Sequence, residues 1–378
     1  MGMTAQKISI LLTRPIRVKN ALVRILARWL QVGYEGVMIF VDRLSAVMFT
    51  PLLGVLVRVF YGRLEKCTVV LWSYKYSGDV DQESIEKICL LDTLKCYAKN
   101  NVTFKGFHWD AERPIFGFGI DFYLKTIINR PKVLVLSSYA TGVYYQPMPW
   151  LLKLLKLHNI KIIALWWDTC SDEFAPNVQR VMDIIDVHAI MENPLLNFGT
   201  GTAAEKLSRK SLIMFSPFDA MDTIESRSID VAFFGQTGDY RGVRRQYLDY
   251  MLESGVALYY SAYSKEQQCP QEKYYEILGC SKIGINFSMS VSRPQLKARV
   301  FEVMHSGALL LEERNDQIAE YFIEGVDYVA FSTKEEMVKK IKYYLANENE
   351  RLFIARNGRN KVQASFTGAQ FWAKLLAQ

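Results

Sequence analysis

The chain is poor in the residues that build metal and disulfide sites. Its histidines (His108, His158, His188 and His305) are scattered, and its cysteines (Cys67, Cys89, Cys96, Cys170, Cys269 and Cys280) show no C-x-x-C pair and no regular spacing. Neither a disulfide framework nor a metal site is indicated, and reduced thiols in a cytosolic compartment are the simplest reading. Long apolar runs are also missing. The uncharged stretch Leu44 to Val57 has 14 residues, interrupted by Thr50-Pro51 and Gly54, which is short of the ~20 that a spanning helix needs. It suits a segment that dips into a bilayer without crossing it. A charged leader, apolar core and small-residue cleavage site do not follow one another, so secretion is not expected. No repeat or low-complexity run is visible.

What is present is the composition of a folded protein. Half of the residues are apolar and 22% are charged in a chain of 378 residues, enough for two or three domains with sizeable cores. The formal charge of +7 is concentrated at one end. Residues 1–66 hold ten Lys or Arg against Glu35, Asp42 and Glu65, so the remaining residues sum to zero. This distribution argues against nucleic-acid binding, which needs a basic patch on a folded domain, and favours an anionic partner met by the leading segment. On a helix, Arg14, Arg17, Arg24 and Arg28 form one stripe opposite Val18, Leu22, Ile25, Leu26, Trp29 and Leu30. That is a basic amphipathic helix with Pro15 in its first turn. The expectation is peripheral contact with the cytoplasmic membrane face through residues 1–60; the alternative is the outer layer of a soluble domain.

After Lys66 strands and helices alternate. Strands are expected at Thr68 to Trp72, Val102 to Phe107, Lys132 to Ser137, Lys161 to Trp166, Asp186 to Met191 and Leu212 to Phe215. Helices are expected at about Gln82 to Lys99, Trp150 to Leu157 and Pro176 to Ile184. This spacing implies a mainly parallel sheet covered by helices. Pro217 to Ser228 is polar and rich in turn residues, and the alternation restarts at Asp230. The fold class is α/β: a Rossmann-like domain over 67–226, a second over 227–367, and a last helix over 368–378.

The second half carries the functional signal. Lys297-Ala-Arg-Val-Phe-Glu-Val-Met-His-Ser-Gly-Ala-Leu-Leu-Leu reads as a helix bearing Arg299 and Glu302 that turns at Gly307 into a buried strand. Ile229-Asp-Val-Ala-Phe-Phe-Gly-Gln-Thr-Gly-Asp-Tyr-Arg-Gly and Tyr274-Tyr-Glu-Ile-Leu-Gly-Cys-Ser-Lys-Ile-Gly-Ile-Asn-Phe-Ser precede it, and Ile354-Ala-Arg-Asn-Gly-Arg-Asn follows. Over about the last 150 residues these segments resemble group-1 glycosyltransferases of the GT-B fold, and within them the CgeB-like branch. The resemblance implies a metal-independent transferase that uses a nucleotide sugar and retains anomeric configuration, with a last helix that crosses back onto the first domain. It implies a glycan or lipid-linked acceptor and a role in envelope polysaccharide or glycolipid assembly. It also matches Glu302 to the second glutamate of the family's pair. The first should stand eight residues earlier, where this chain has Pro294.

The chemistry needs a nucleoside contact, neutralisation of a departing diphosphate, and a dry cleft. Glu302 can accept from the vicinal ribose hydroxyls, or can instead pair with Arg299 along the helix. Gly235 and Gly238 open a turn after an apolar strand, where backbone N–H groups face anions. Arg241, Arg244, Lys297 and Arg299 are the cations near that turn in the proposed fold. Asn286 and His305 either share the donor rim or satisfy backbone groups. Asp168, past the strand ending in Trp166, is the acceptor-side candidate, to position or deprotonate the hydroxyl; its other reading is an N-cap. His108 with Asp110, and Tyr139 to Tyr145, are further candidates for the acceptor groove. Asp79-Val-Asp81 imitates a metal-binding D-x-D but reads as a turn before the helix near Gln82. A non-catalytic GT-B scaffold and a nucleotide-sugar epimerase are the competing readings.

Overall fold

The computed structural model describes residues 66–378 apart from 78–79, 111–117, 141–145, 170–173, 199–200, 220–225, 238–241, 262–268, 270 and 290–292, together with Leu44, Met48 and Leu52. The amphipathic stripe between Arg14 and Leu30, with Gly238 and Arg241, lies outside the described residues. Among the described residues no helix is long and apolar enough to cross a membrane.

The first domain is a six-stranded parallel sheet in the order β4-β1-β5-β6-β7-β8, formed by β1 Val69–Ser73, β4 Phe104–His108, β5 Val133–Ser137, β6 Lys161–Trp166, β7 Val187–Ile190 and β8 Ser211–Ile213. A short antiparallel hairpin, β2 Tyr76–Ser77 with β3 Val80–Glu83, follows β1. The second domain is a five-stranded parallel sheet in the order β10-β9-β11-β12-β13: β9 Ile229–Phe234, β10 Leu258–Ser261, β11 Ser281–Asn286, β12 Leu309–Glu313 and β13 Val329–Phe331. Each sheet reverses its strand order once, between β1 and β5 and between β9 and β11. In open α/β sheets the crevice beyond the carboxyl ends of such a pair is where ligands bind.

Residue alternation builds the cores. Val69 and Leu71 of β1 point into a core shared with Ala232, Phe234 and Leu310 of the second domain. Val70 and Trp72 point to the opposite face, among Leu134, Leu136 and Trp166. The shared core runs without a break from one domain into the other. The last helix, Gly368–Leu376, comes from the second domain and packs on helix Thr93–Asn101 of the first. There Trp372 is fully buried and its indole N–H donates to Thr93 Oγ1 at 2.9 Å. A capping box between Thr367 and Gln370 starts that helix.

The structure corrects the sequence reading around the first helix. Val80–Glu83 is a strand, not the start of a helix, and Ser84, whose Oγ accepts from the Lys87 amide at 3.2 Å, opens the helical segment. The hairpin is pinned by Asp110, which accepts from the Lys75 and Tyr76 amides at 2.9 and 2.6 Å. Lys87–Asp92 is then a π-helix that runs into helix Thr93–Asn101. Helices Phe118–Ile128, Pro194–Phe198, Thr202–Lys210 and Gln271–Gly279 and strand Leu258–Ser261 were not expected from the sequence; the expected strands and helices elsewhere differ at their ends by a few residues.

Candidate functional site

The site is organised by helix Ala298–Ser306. Lys297 precedes it in extended conformation without a side-chain cap, so its first amides are not taken up by a cap from that side chain. Gly307, at φ 76°, ends it in the left-handed conformation that glycine adopts without strain. Val300, Phe301, Val303 and Met304 are buried, and so is Glu302. Tyr274 donates its hydroxyl to Glu302 Oε2. Burial raises the Glu302 carboxyl, while that hydrogen bond and the nearby Arg299 charge act against it. Arg299 makes its hydrogen bond elsewhere, so the expected alternative of a helix-surface ion pair is not what holds it.

Arg299 reaches the switch point of the second sheet. Its Nη1 donates to Asn286 Oδ1 at 3.0 Å and its guanidinium lies 5.6 Å from the Phe233 ring centroid. A Cβ on Gly235 would come within 3.4 Å of its Nη2, so the glycine lets the backbone lie close under the cation. Asn286 in turn donates to Glu312 Oε2 at 2.8 Å. Glu312 is fully buried and its carboxyl is pushed well up by desolvation, against the pull of Asn286.

Across the cleft stands Asp168, just past the end of β6. Its Oδ1 accepts from Gln295 Nε2 at 3.2 Å, and Lys297 Nζ donates to Gln295 Oε1 at 2.6 Å. A polar line therefore joins the two domains, and Asp168 bonds across the cleft. A cavity of about 390 Å³ lies here, with Glu86, Ser138, Trp167 and Asp168 on one wall and Gln295 and Lys297 on the other. Behind it Thr169 donates to Glu192 at 2.8 Å. Burial raises Glu192 from 4.5 to about 7, with Lys297 pulling it down and Asp168 pushing it up.

The other candidates are placed differently. Arg244 is buried and spends its guanidinium on main-chain carbonyls, donating to Met289 at 2.8 Å, Phe287 at 3.3 Å and Gln236 at 3.4 Å. It braces the loops after β9 and β11. His305 sits in the last turn of its helix, against Phe218 at 5.8 Å, with its pKa lowered to about 4 chiefly by burial. Arg299 is in the first turn, so the two side chains leave opposite ends of the helix. His108 lies near Ser73 Oγ, Asp110 holds the hairpin, and Tyr139 donates to the Pro147 carbonyl at 2.6 Å. The cavity thus gathers Asp168 and Lys297, with Gly235, Asn286, Arg299 and Glu302 around the adjoining switch point. Sequence reasoning did not single out Glu86, Glu192, Gln295 or Glu312. Glu192 and Glu312 share a legible signal: an acid at or just past the carboxyl end of an apolar strand.

Residues 220–377 match the family described as glycosyl transferase-like. No curated protein matches the chain in sequence. Among solved structures, Anabaena Alr3699/HepE in complex with UDP-glucose aligns with a TM-score of 0.56 at 10% identity, over 82% of this chain and 99% of that one. Sucrose-phosphate synthase from Thermosynechococcus elongatus gives 0.56 at 10% identity over 83% and 99%. A glycosyltransferase from Rickettsia africae gives 0.52 at 12% identity over 82% and 97%. Over 82–83% of its length the chain shares their fold, and the family match falls on the second domain and last helix.

Proposed function

We propose that this GT-B glycosyltransferase moves a hexose from a nucleoside diphosphate sugar to a hydroxyl acceptor held between its domains, without a metal and with retention of configuration. The observation that carries the reading is Arg299 fixed by Asn286 over Gly235, at the switch point of the second sheet. There Arg299, Lys297 and the first amides of helix Ala298–Ser306 can meet the charge that develops on a departing diphosphate. Fixed cations supply what a metal would otherwise do. The Glu302 carboxylate, braced by Tyr274, is the acceptor for the ribose hydroxyls. As the sugar C1–phosphate oxygen bond breaks, the acceptor oxygen bonds to C1 and its proton passes to the leaving phosphate oxygen.

UDP-glucose is the donor we test first, because Alr3699/HepE is complexed with it. The acceptor is proposed to be a glycan or lipid-linked glycan at the cytoplasmic face of a membrane, in envelope polysaccharide or glycolipid assembly. Two features support the location. Residues 1–66 carry the chain's basic surplus, and where the described residues begin an open groove of about 580 Å³ is lined by Lys66, Lys95, Lys99 and Lys105. A thermal-shift screen of UDP, GDP, CMP and their sugars tests the reading. Selective stabilisation by a uridine nucleotide is expected; no shift with any of them would refute it. Pro294 in place of the family's first glutamate favours a second reading, a non-catalytic scaffold. Nucleotide binding without turnover of any nucleotide sugar would support that one.

A further inference from the structure

The first domain's cavity wall holds a carboxylate that the donor chemistry leaves unused. Glu86 stands where the hairpin gives way to the π-helix Lys87–Asp92. The wide turn sets Glu86, Cys89 and Leu90 along the cavity, and π-turns recur at functional sites. Its carboxylate is fixed by three neutral donors: the Tyr74 amide at 2.7 Å, the Ser137 hydroxyl at 2.9 Å, and the Ser138 hydroxyl. They come from the ends of β1 and β5, at the strand-order reversal of the first sheet. Ser138 holds φ 53°, a left-handed conformation uncommon for a residue with a side chain, though Arg130 and Asn159 share it in turns elsewhere. Among the described residues no ion pair includes Glu86, and burial raises its carboxyl, with Asp110 adding to the rise. A carboxylate has about four lone-pair positions, so three donors leave room for one more.

We infer that Glu86 anchors the acceptor, accepting a hydrogen bond from a hydroxyl of a neutral sugar ring seated beside Trp167. The inference rests on the glycosyl-transfer reading and names the acceptor class for that site. The first-domain wall carries Glu86 and Asp168 and, among the described residues lining the cavity, Lys297 is the one cation. A phosphorylated acceptor would meet two acids there; a neutral polyol would meet acceptors for its hydroxyls. Trp167 stacks on Phe371, with ring centroids 6.4 Å apart, and also lines the cavity, where its aromatic ring suits the C–H face of a pyranose; its N–H is tied to Ser137 Oγ at 2.7 Å, beside the Glu86 anchor.

The probes are the methyl pyranosides of glucose, galactose and mannose. Their binding is read by saturation-transfer NMR with and without UDP, and UDP release from UDP-glucose is measured with and without each. At least one pyranoside should bind the wild type and accelerate UDP release. Glu86→Gln keeps the shape and loses the charge; it should cut that acceleration roughly 10- to 100-fold while UDP affinity changes less than about twofold. Ser138→Gly, which suits the left-handed backbone and removes one brace, should weaken pyranoside binding in the same direction and covers the case of a misfolded Glu86 variant. Full acceleration in Glu86→Gln overturns the inference. So does the absence of any pyranoside signal with wild type, or parallel loss of UDP affinity and melting temperature, which marks a structural role only. If UDP fails to bind wild type, the functional reading falls, while the pyranoside spectra still report on the Glu86 subsite.

Discussion

Arg299 reaches from the first turn of its helix to Asn286, the last residue of β11, and donates to the side-chain oxygen at 3.0 Å. Asn286 passes its own N–H to Glu312 at 2.8 Å. Cation, amide and carboxyl group thus form one line from the second sheet's switch point to β12. The amide oxygen fixes the direction of the guanidinium before any substrate arrives, which is the condition for electrostatic catalysis without reorganisation.

Arg299→Ala is therefore expected to lower kcat/KM for the nucleotide sugar by roughly 10²- to 10³-fold, the range for losing one preorganised donor to a developing anion. Far-UV circular dichroism should be unchanged. Arg299→Lys should recover only part of the loss, because an ammonium lacks the planar fork. Wild-type turnover in either variant would remove Arg299 from the site.

Glu302→Ala should raise the KM for donor and leave Tyr274 without its buried partner. The unpaired hydroxyl should cost about 1 to 3 kcal/mol of stability. Replacing Tyr274 by Phe as well should restore part of that stability without restoring activity, which denaturant titration and steady-state kinetics separate.

Glu192 gives a pH dependence with a definite sign. Its carboxyl is raised from 4.5 in the unfolded chain to about 7 in the fold, chiefly by burial, with Lys297 and Asp168 as the charges that face it. The fold favours the protonated form, so the contribution is complete below the unfolded value and is lost as pH climbs through about 7. The shift corresponds to a contribution on the order of 3 kcal/mol. Glu192→Gln should flatten the stability profile between pH 4.5 and 7 and exceed wild type at pH 8, read by denaturant titration. A variant profile parallel to wild type would contradict the assignment.

Trp372→Ala should destabilise the whole protein by about 3 to 5 kcal/mol, the range for truncating a fully buried large aromatic. The indole fills the junction between the last helix and helix Thr93–Asn101. Both domains should lose protection together in hydrogen exchange; loss confined to one would show that they unfold separately.

Lys99→Glu with Lys105→Glu should weaken binding to anionic vesicles by about 1 kcal/mol or more per lysine and leave donor turnover in solution unchanged. Co-sedimentation at low and moderate salt reads the difference. Equal binding by variant and wild type would remove the groove from the membrane contact.

The sequence made the second domain legible because its chemistry sits within one short segment. Arg299 and Glu302 lie on one helix, bounded by an apolar strand after Gly307; the periodicity places that helix, and the resemblance of the surrounding segment marks the two residues. The first domain was read as alternating strands and helices, with β6 placed at its observed ends, because buried parallel strands are apolar throughout. What stayed hidden depends on distant pairs. Nothing near Glu86 in the chain announces Ser137 and Ser138, about fifty residues on, and nothing near Glu312 announces Asn286. The hairpin was misread as a helix start because Asp79-Val-Asp81 has the composition of a cap, while the residue that pins the hairpin, Asp110, arrives only after β4. Arg244 was expected at phosphate because a cation beside a glycine turn suggests an anion; three main-chain carbonyls are an equally good set of acceptors, and they come from loops about fifty residues apart in the chain, Gln236 on one side and Phe287 and Met289 on the other.

The route of the polypeptide also decides how such a molecule could be recombined. The last eleven residues are translated after the second domain but settle against Thr93 and Phe218, in the first. A chimaera that imported a foreign second domain together with its own last helix would carry the wrong surface to that seat. The graft that keeps the seat filled stops before Gly368 and retains the native tail, so the unit of exchange is an interior segment and not the carboxyl half.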